Sequence, residues 1–308
     1  MARSQERDKN DARPDRRPEG NEGAGAHELF QAFARDKTRD AESARIERLS
    51  TVFERCAVSP HTRAIGHAWS SMHYGGEFCL VNQHPERTAL SLVFVQSKDG
   101  NTSGADPGAF GEGATDKHLI YEGLSRVAAD AVLAGARSLH PNAFFSVWHP
   151  ELVALRAALG LPRHPAQIVV SKRGSTLDLT ALLFNVPEVP VILLAGDECI
   201  ARHGSALRLR PWIRHIRLGG DDLQAALQEL RLEDGIRRIS AIGGRYTATR
   251  LVDQNIAQDI YLTTTADGGG TPGTPWYSGT RLPRLTVITE KEWFDSGSRV
   301  LFQHVLIG

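Results

Sequence analysis

Short apolar runs recur along this chain. Each is closed by glycine or another turn residue, and most are followed by a stretch of helical periodicity. The clearest is 89–95; strands are also read at 167–171, 189–195, 236–242 and 259–264, with a shorter alternating one at 213–218. A run of this kind, bounded by turn residues, reads as a buried strand. Between them, Ile120, Leu124, Val127, Ala128 and Ala131 recur at helical spacing behind Asp116, which is placed to cap that helix. Leu223, Ala226, Leu227 and Leu230 form a second helix face behind Asp221 or Asp222 as the cap. Residues 151–159 make a third helix, stopped by Gly160 and Pro162, and residues 246–253 a fourth. Segments 285–289 and 300–307 fit a C-terminal β-hairpin. Strands alternating with helices predict an α/β fold, a central mixed β-sheet with helices on both faces.

The N-terminal quarter reads differently. Residues 1–25 alternate basic and acidic side chains with Gly, Pro and Asn and contain almost nothing apolar. Such a segment cannot offset its ordering entropy, so a disordered tail is expected. From His27 to Cys56 the pattern turns helical: Leu29, Phe30 and Phe33 share one face, and Ile46, Leu49 and Phe53 follow. Residues 26–86 are therefore expected to form an N-terminal helical extension, with a short strand near 77–81 after the Gly75-Gly76 turn. The main domain is 87–308.

Lys plus Arg and Asp plus Glu both count 36 in 308 residues, so the formal charge is zero. A nucleic-acid footprint needs a basic excess on one face, and none is visible. No apolar run approaches the roughly 18 residues that a membrane helix requires. The first ten residues lack the apolar centre of a secretory leader. A cytoplasmic protein with no nucleic-acid or membrane partner is expected. Cys56, Cys79 and Cys199 form no C-x-x-C pair, and His61, His67, His73 and His84 match no zinc spacing. Neither a metal site nor a disulfide framework is expected.

Three strand ends carry candidate chemistry. The 89–95 run breaks at Ser97-Lys98-Asp99-Gly100. A strand that ends in an acid can hold a catalytic carboxylate in place; Asp99-Gly100 is equally a tight turn. Gly243-Gly244 lies between a strand and a helix, where glycines let backbone N–H groups approach a pyrophosphate or simply permit the turn. There is no G-x-G-x-x-G. Ser171-Lys172-Arg173 ends a strand with a hydroxyl and two cations, which suits a phosphate monoester as well as a solvated loop.

In order and spacing, these pieces resemble the reductase domain of bacterial riboflavin biosynthesis. Ser97-Lys98-Asp99-Gly100 is similar to that family's Ser-x-Asp-Gly. The segment from Arg126 through Asp130-Ala131 to Gly135 is similar to its Arg…Asp-Ala-hydrophobic-Gly segment. Residues 167–171 resemble its second cofactor strand, and Ser240-Ala241-Ile242-Gly243-Gly244 its Gly-Gly turn. The likeness covers about 87–308. It implies a dihydrofolate-reductase-like fold and an NADPH-dependent reductase that converts the ribosyl group of a phosphorylated aminouracil to a ribityl chain. By the same resemblance, Ser138, Ser171, Arg173, Gly243 and Gly244 hold the cofactor, and Asp99 sits where substrate and nicotinamide meet. Family members often dimerise through the sheet region, which implies a homodimer. The chain departs from the family at Ile242, where a Glu is usual, and at 138–142, which keep little of an Asp-Pro-x-Leu run. The zinc deaminase signatures H-x-E and P-C-x-x-C are missing.

The resemblance thus implies hydride transfer from NADPH to a polar heterocyclic or sugar-derived substrate, with riboflavin-pathway reduction first and a related reductase of another small-molecule pathway second. A protein that binds nucleotide or pteridine-like ligands without turning them over is the reading of a different class. A purely structural scaffold, which would bind no cofactor, is a further one.

Overall fold

The computed structural model describes residues 22–55, 62–103, 113–220 and 222–308. In chain order the strands are β1 (Ser50–Glu54), β2 (Thr62–Ile65), β3 (Phe78–Val81), β4 (Ala89–Gln96), β5 (Ala131–Gly135) and β6 (Ala166–Ser171), then β7 (Val191–Ala195), β8 (Ile213–Arg217), β9 (Arg238–Ile242), β10 (Asp259–Thr264), β11 (Leu285–Asp295) and β12 (Ser298–Ile307). The α-helices are α1 (Glu22–Ser43), α2 (Ala68–Tyr74), α3 (Pro150–Ala158), α4 (Asp197–Arg208), α5 (Leu223–Glu233) and α6 (Arg245–Asp253). Residues Asp116–Leu124 form a π-helical segment.

Ten strands make one sheet in the order β1-β11-β12-β10-β4-β9-β5-β6-β7-β8, and β2 pairs with β3 alone. From β10 to β8 every neighbouring pair is parallel; β1, β11 and β12 join antiparallel at one edge. The central mixed sheet and the C-terminal hairpin are as expected, although the hairpin strands run longer than 285–289 and 300–307.

The central parallel strands are largely apolar because both faces are covered, whereas edge strand β8 (Ile-Arg-His-Ile-Arg) alternates buried and exposed residues. All five residues of β5, β7 and β9 are buried. Along β4, Leu90, Leu92 and Phe94 point to a core shared with Leu227 and Leu230 of α5 and Leu251 of α6. Val93 points the other way, to a core with Leu119, Leu124, Leu152 and Tyr74. On that second face α1 is seated by Phe30, whose ring lies 4.7 Å from Phe144. Burying a side chain of this size contributes about 2 kcal/mol. Asp222 caps α5 as expected, its carboxylate accepting from the Ala225 N–H.

The helical extension needs correction. The helix over His27 stops at Ser43, and Ser50–Glu54 is an edge strand paired with β11. Ile46, Leu49 and Phe53 match a helical spacing, but Thr51-Val52-Phe53 is β-branched and aromatic and suits a pleated edge. Residues 26–86 hold two helices and three strands, one of them part of the main sheet. The expected disordered tail lies outside the described residues except for 22–25, which open α1. Cys79 is disulfide-bonded and Cys199 is free and buried, so the expectation of no disulfide fails at Cys79. Among the described residues no helix is long and apolar enough to cross a membrane, and no group of three or more metal-ligating side chains converges.

Candidate cofactor and substrate site

Parallel strands deliver their carboxyl ends to one edge of the sheet. The adjacent strands β4, β9, β5 and β6 therefore bring Asp99, Gly243-Gly244, Ser138 and Ser171–Arg173 to that edge in this order. Three strand spacings span about 14 Å, a length suited to an extended dinucleotide.

The tightest part lies where β9 meets β5. Gly243 (φ 63°) and Gly244 (φ 80°) both adopt the left-handed conformation, which L side chains rarely take. A Cβ on Gly244 would stand 3.1 Å from the Ser138 hydroxyl, and one on Gly243 would stand 3.6 Å from it. A Cβ on Gly135 would come within 2.9 Å of Thr247 Oγ1. These glycines keep open a cradle walled by two hydroxyls. Gly244 is also the N-cap of α6 and supplies no side chain to it. The first-turn N–H groups of α6 thus face this cradle, as anion sites at helix starts require. Thr247 was not singled out in the sequence; its only signal is its place one turn into the helix.

Asp99 satisfies both of its readings. The Gly100 N–H bonds to the Ser97 carbonyl, which closes a tight turn. The Asp99 carboxylate is exposed and accepts the Gly269 N–H at 2.7 Å, while Ser97 Oγ and Asn101 Nδ2 donate to the Gly269 carbonyl. Asp99 therefore ties the β4 end to the loop after β10. It does not contact the Gly243-Gly244 cradle through any hydrogen bond.

Ser171 is turned inward. Its hydroxyl accepts the Gly174 N–H at 3.2 Å, and the residue is 6% exposed beside Cys199, whose thiol burial pushes up. Arg173 points outward, with its side chain 75% exposed and 4.0 Å from Glu198. The pair expected to act together is thus split: Ser171 shapes the loop, and Arg173 presents charge at the rim.

The other family-like positions are structural. The Asp130 carboxylate accepts the N–H groups of Arg237 and Arg238, which aligns β5 with β9. Arg126 is buried, its guanidinium 4.0 Å over the Tyr121 ring. Ile242, where the family has Glu, is buried in the core with Val93 and Leu119.

One group went unrecognised. Asp116 does not cap its helix; Thr115 holds the cap position, and its hydroxyl accepts the Glu47 N–H and does not cap the helix. Asp116 is buried instead, with Oδ1 2.5 Å from Thr263 Oγ1 near the end of β10. Burial pushes its carboxyl up to about 7, against the smaller opposing pull of the Thr263 hydroxyl. On the same segment His118 and Glu122 form a buried pair at 3.1 Å.

No family model matches the chain, and no curated protein matches it. Solved structures do. A pyrimidine reductase-like protein from Corynebacterium diphtheriae aligns over 72% of this chain and 92% of its own, at 16% identity and a TM-score of 0.57. Two forms of Acinetobacter baumannii RibD align over 73% of this chain at 14% and 16% identity, each with a TM-score of 0.53. This chain spans 59% of the length of those RibD chains. The parallel sheet, the cradle at its carboxyl edge and these likenesses agree: the chain has the dihydrofolate-reductase-like fold of the riboflavin-biosynthesis pyrimidine reductases.

Proposed function

We propose that this protein is an NADPH-dependent reductase whose substrate is 5-amino-6-(5-phosphoribosylamino)uracil or a close relative. The observation that carries the reading is the cradle of Gly243, Gly244 and Ser138 beside α6, at the edge where Asp99 and Arg173 also stand. A Cβ at Gly244 would crowd Ser138, and both glycines hold a left-handed backbone that a side chain would strain, which supports backbone approach to a ligand here. Gly243, Gly244 and Ser138 would hold the cofactor's pyrophosphate. Ser171 would fix the loop that presents Arg173 to the phosphate on the adenosine ribose. NADPH supplies a hydride when bound. Asp99, pinned by Gly269, would orient the substrate over the ends of β4 and β10.

Binding without turnover is the second reading. It is favoured by Ile242, which puts an apolar core residue where the resembled family carries a carboxylate. A homodimer belongs with the first reading. The exposed Val52 of edge strand β1 and Phe294 of β11 offer apolar surface for it. A cytoplasmic setting also belongs with it.

Cofactor choice tests the assignment. Hydrogen bonds to charged groups are worth about 1.5–3 kcal/mol. Arg173→Ala should therefore weaken NADPH about tenfold to a hundredfold and leave NADH nearly unchanged. The difference should shrink as salt rises, because Arg173 is exposed. Equal loss of both cofactors in fluorescence titrations would remove Arg173 from the ribose phosphate.

A further inference from the structure

We propose that Asp116 is the acid of the reduction, the group that gives a proton to the substrate oxygen released as the sugar carbon accepts hydride. This rests on the reductase reading above and adds a second carboxyl group to it.

The geometry comes first. Asp116 opens a nine-residue π-helical segment, a wide and uncommon turn that is frequent at functional sites. Its carboxyl meets Thr263, which lies opposite Val95 of β4 in the sheet register. Both residues sit one position before their strand ends. Past those ends, Asp99 of the β4 loop is joined to Gly269 of the β10 loop. Two carboxyl groups thus bracket the same pair of strand ends, one exposed and one buried. An exposed carboxylate can orient a polar substrate. A buried carboxyl raised to about 7 still holds its proton in a large share of molecules at neutral pH and can donate it.

The charged groups around Asp116 have their own partners. On its own segment, Lys117 pairs with Asp40 of α1 and His118 with Glu122. At the β11–β12 turn, the Asp295 carboxylate lies against Gly113. Among the described residues neither a cation nor an anion is bonded to Asp116; its bonded partner there is Thr263.

The chemistry balances with one proton and one hydride. The bond between the sugar's anomeric carbon and its ring oxygen breaks, and the oxygen keeps the electron pair. That oxygen takes the Asp116 proton and becomes a hydroxyl. The carbon takes hydride from NADPH, which leaves as NADP+. Water then restores the proton to Asp116.

Three readings on wild type, Asp116→Asn and Thr263→Val test this. They are kcat against pH with NADPH and the aminouracil ribotide saturating, NADPH affinity, and the infrared band of the protonated carboxyl without cofactor. Wild-type kcat should fall above about pH 7, and the infrared band should titrate over the same range. Asp116→Asn should lose the band and about a hundredfold in kcat, with NADPH affinity unchanged. Removing the Thr263 hydroxyl takes away a bond that favours the ionised form, so Thr263→Val should move both limb and band to higher pH. A structural role would move the band but not the kcat limb. Near-normal kcat in Asp116→Asn, or a limb unmoved in Thr263→Val, overturns the assignment; the second variant decides if the first does not fold. Wild type that consumes NADPH while Asp116→Asn keeps its rate removes the acid alone. Wild type that binds NADPH but consumes none removes the reductase reading and this proposal with it.

Discussion

Asp116→Asn should be more stable than the wild type by about 4 kcal/mol at about pH 8, and by about half of that at about pH 5. The folded protein holds the Asp116 carboxyl near 7, above the 3.8 of an unburied aspartate. Between those two values the folded state binds more protons than the unfolded chain. Stability therefore falls as pH rises through this window and is lowest above it, where a bare carboxylate sits in the core. Asparagine has the same shape, can still bond to Thr263, and never ionises. Urea unfolding of both proteins across this range checks it, and only the pH-dependent part of the difference counts. A gap that stays constant with pH would mean that Asp116 is not held protonated.

Gly244→Val should cost NADPH binding at least about a hundredfold, roughly 3 kcal/mol, while the protein stays folded. At φ 80° a β-branched residue is strained. Its Cβ would lie 3.1 Å from Ser138 Oγ and 3.6 Å from Thr247 Oγ1. The side chain would fill the cradle, or the loop would move and turn the α6 N–H groups away. The strain itself is about 1–2 kcal/mol, small against a core of this size. Calorimetric titration of NADPH, with a thermal melt beside it, separates the two effects. Unchanged affinity would show that the cofactor does not approach β9.

What could be read from the residues follows from how local each signal is. β4, β6, β7 and β10 are mostly apolar and buried on both faces, so their pattern stands alone. α5 carries its own cap in Asp222. β1 was missed because its strand state depends on pairing with β11, more than two hundred residues away. Asp116 was misread because an acid before an amphipathic run looks the same whether it caps the helix or is buried against a distant Thr263. Ser171 and Arg173 are close in sequence yet face opposite ways, since Gly174 folds the loop back onto the Ser171 hydroxyl. The ends of adjacent parallel strands were legible as a set only through their order along the chain.

The most direct measurement is single-turnover absorbance of the nicotinamide band after mixing the intact protein, NADPH and 5-amino-6-(5-phosphoribosylamino)uracil. One NADPH should be consumed per substrate reduced, and Asp99→Asn should slow that consumption about a hundredfold with little change in NADPH affinity. Binding of both ligands with no loss of absorbance would contradict the reductase and leave a nucleotide-binding protein built on the same fold.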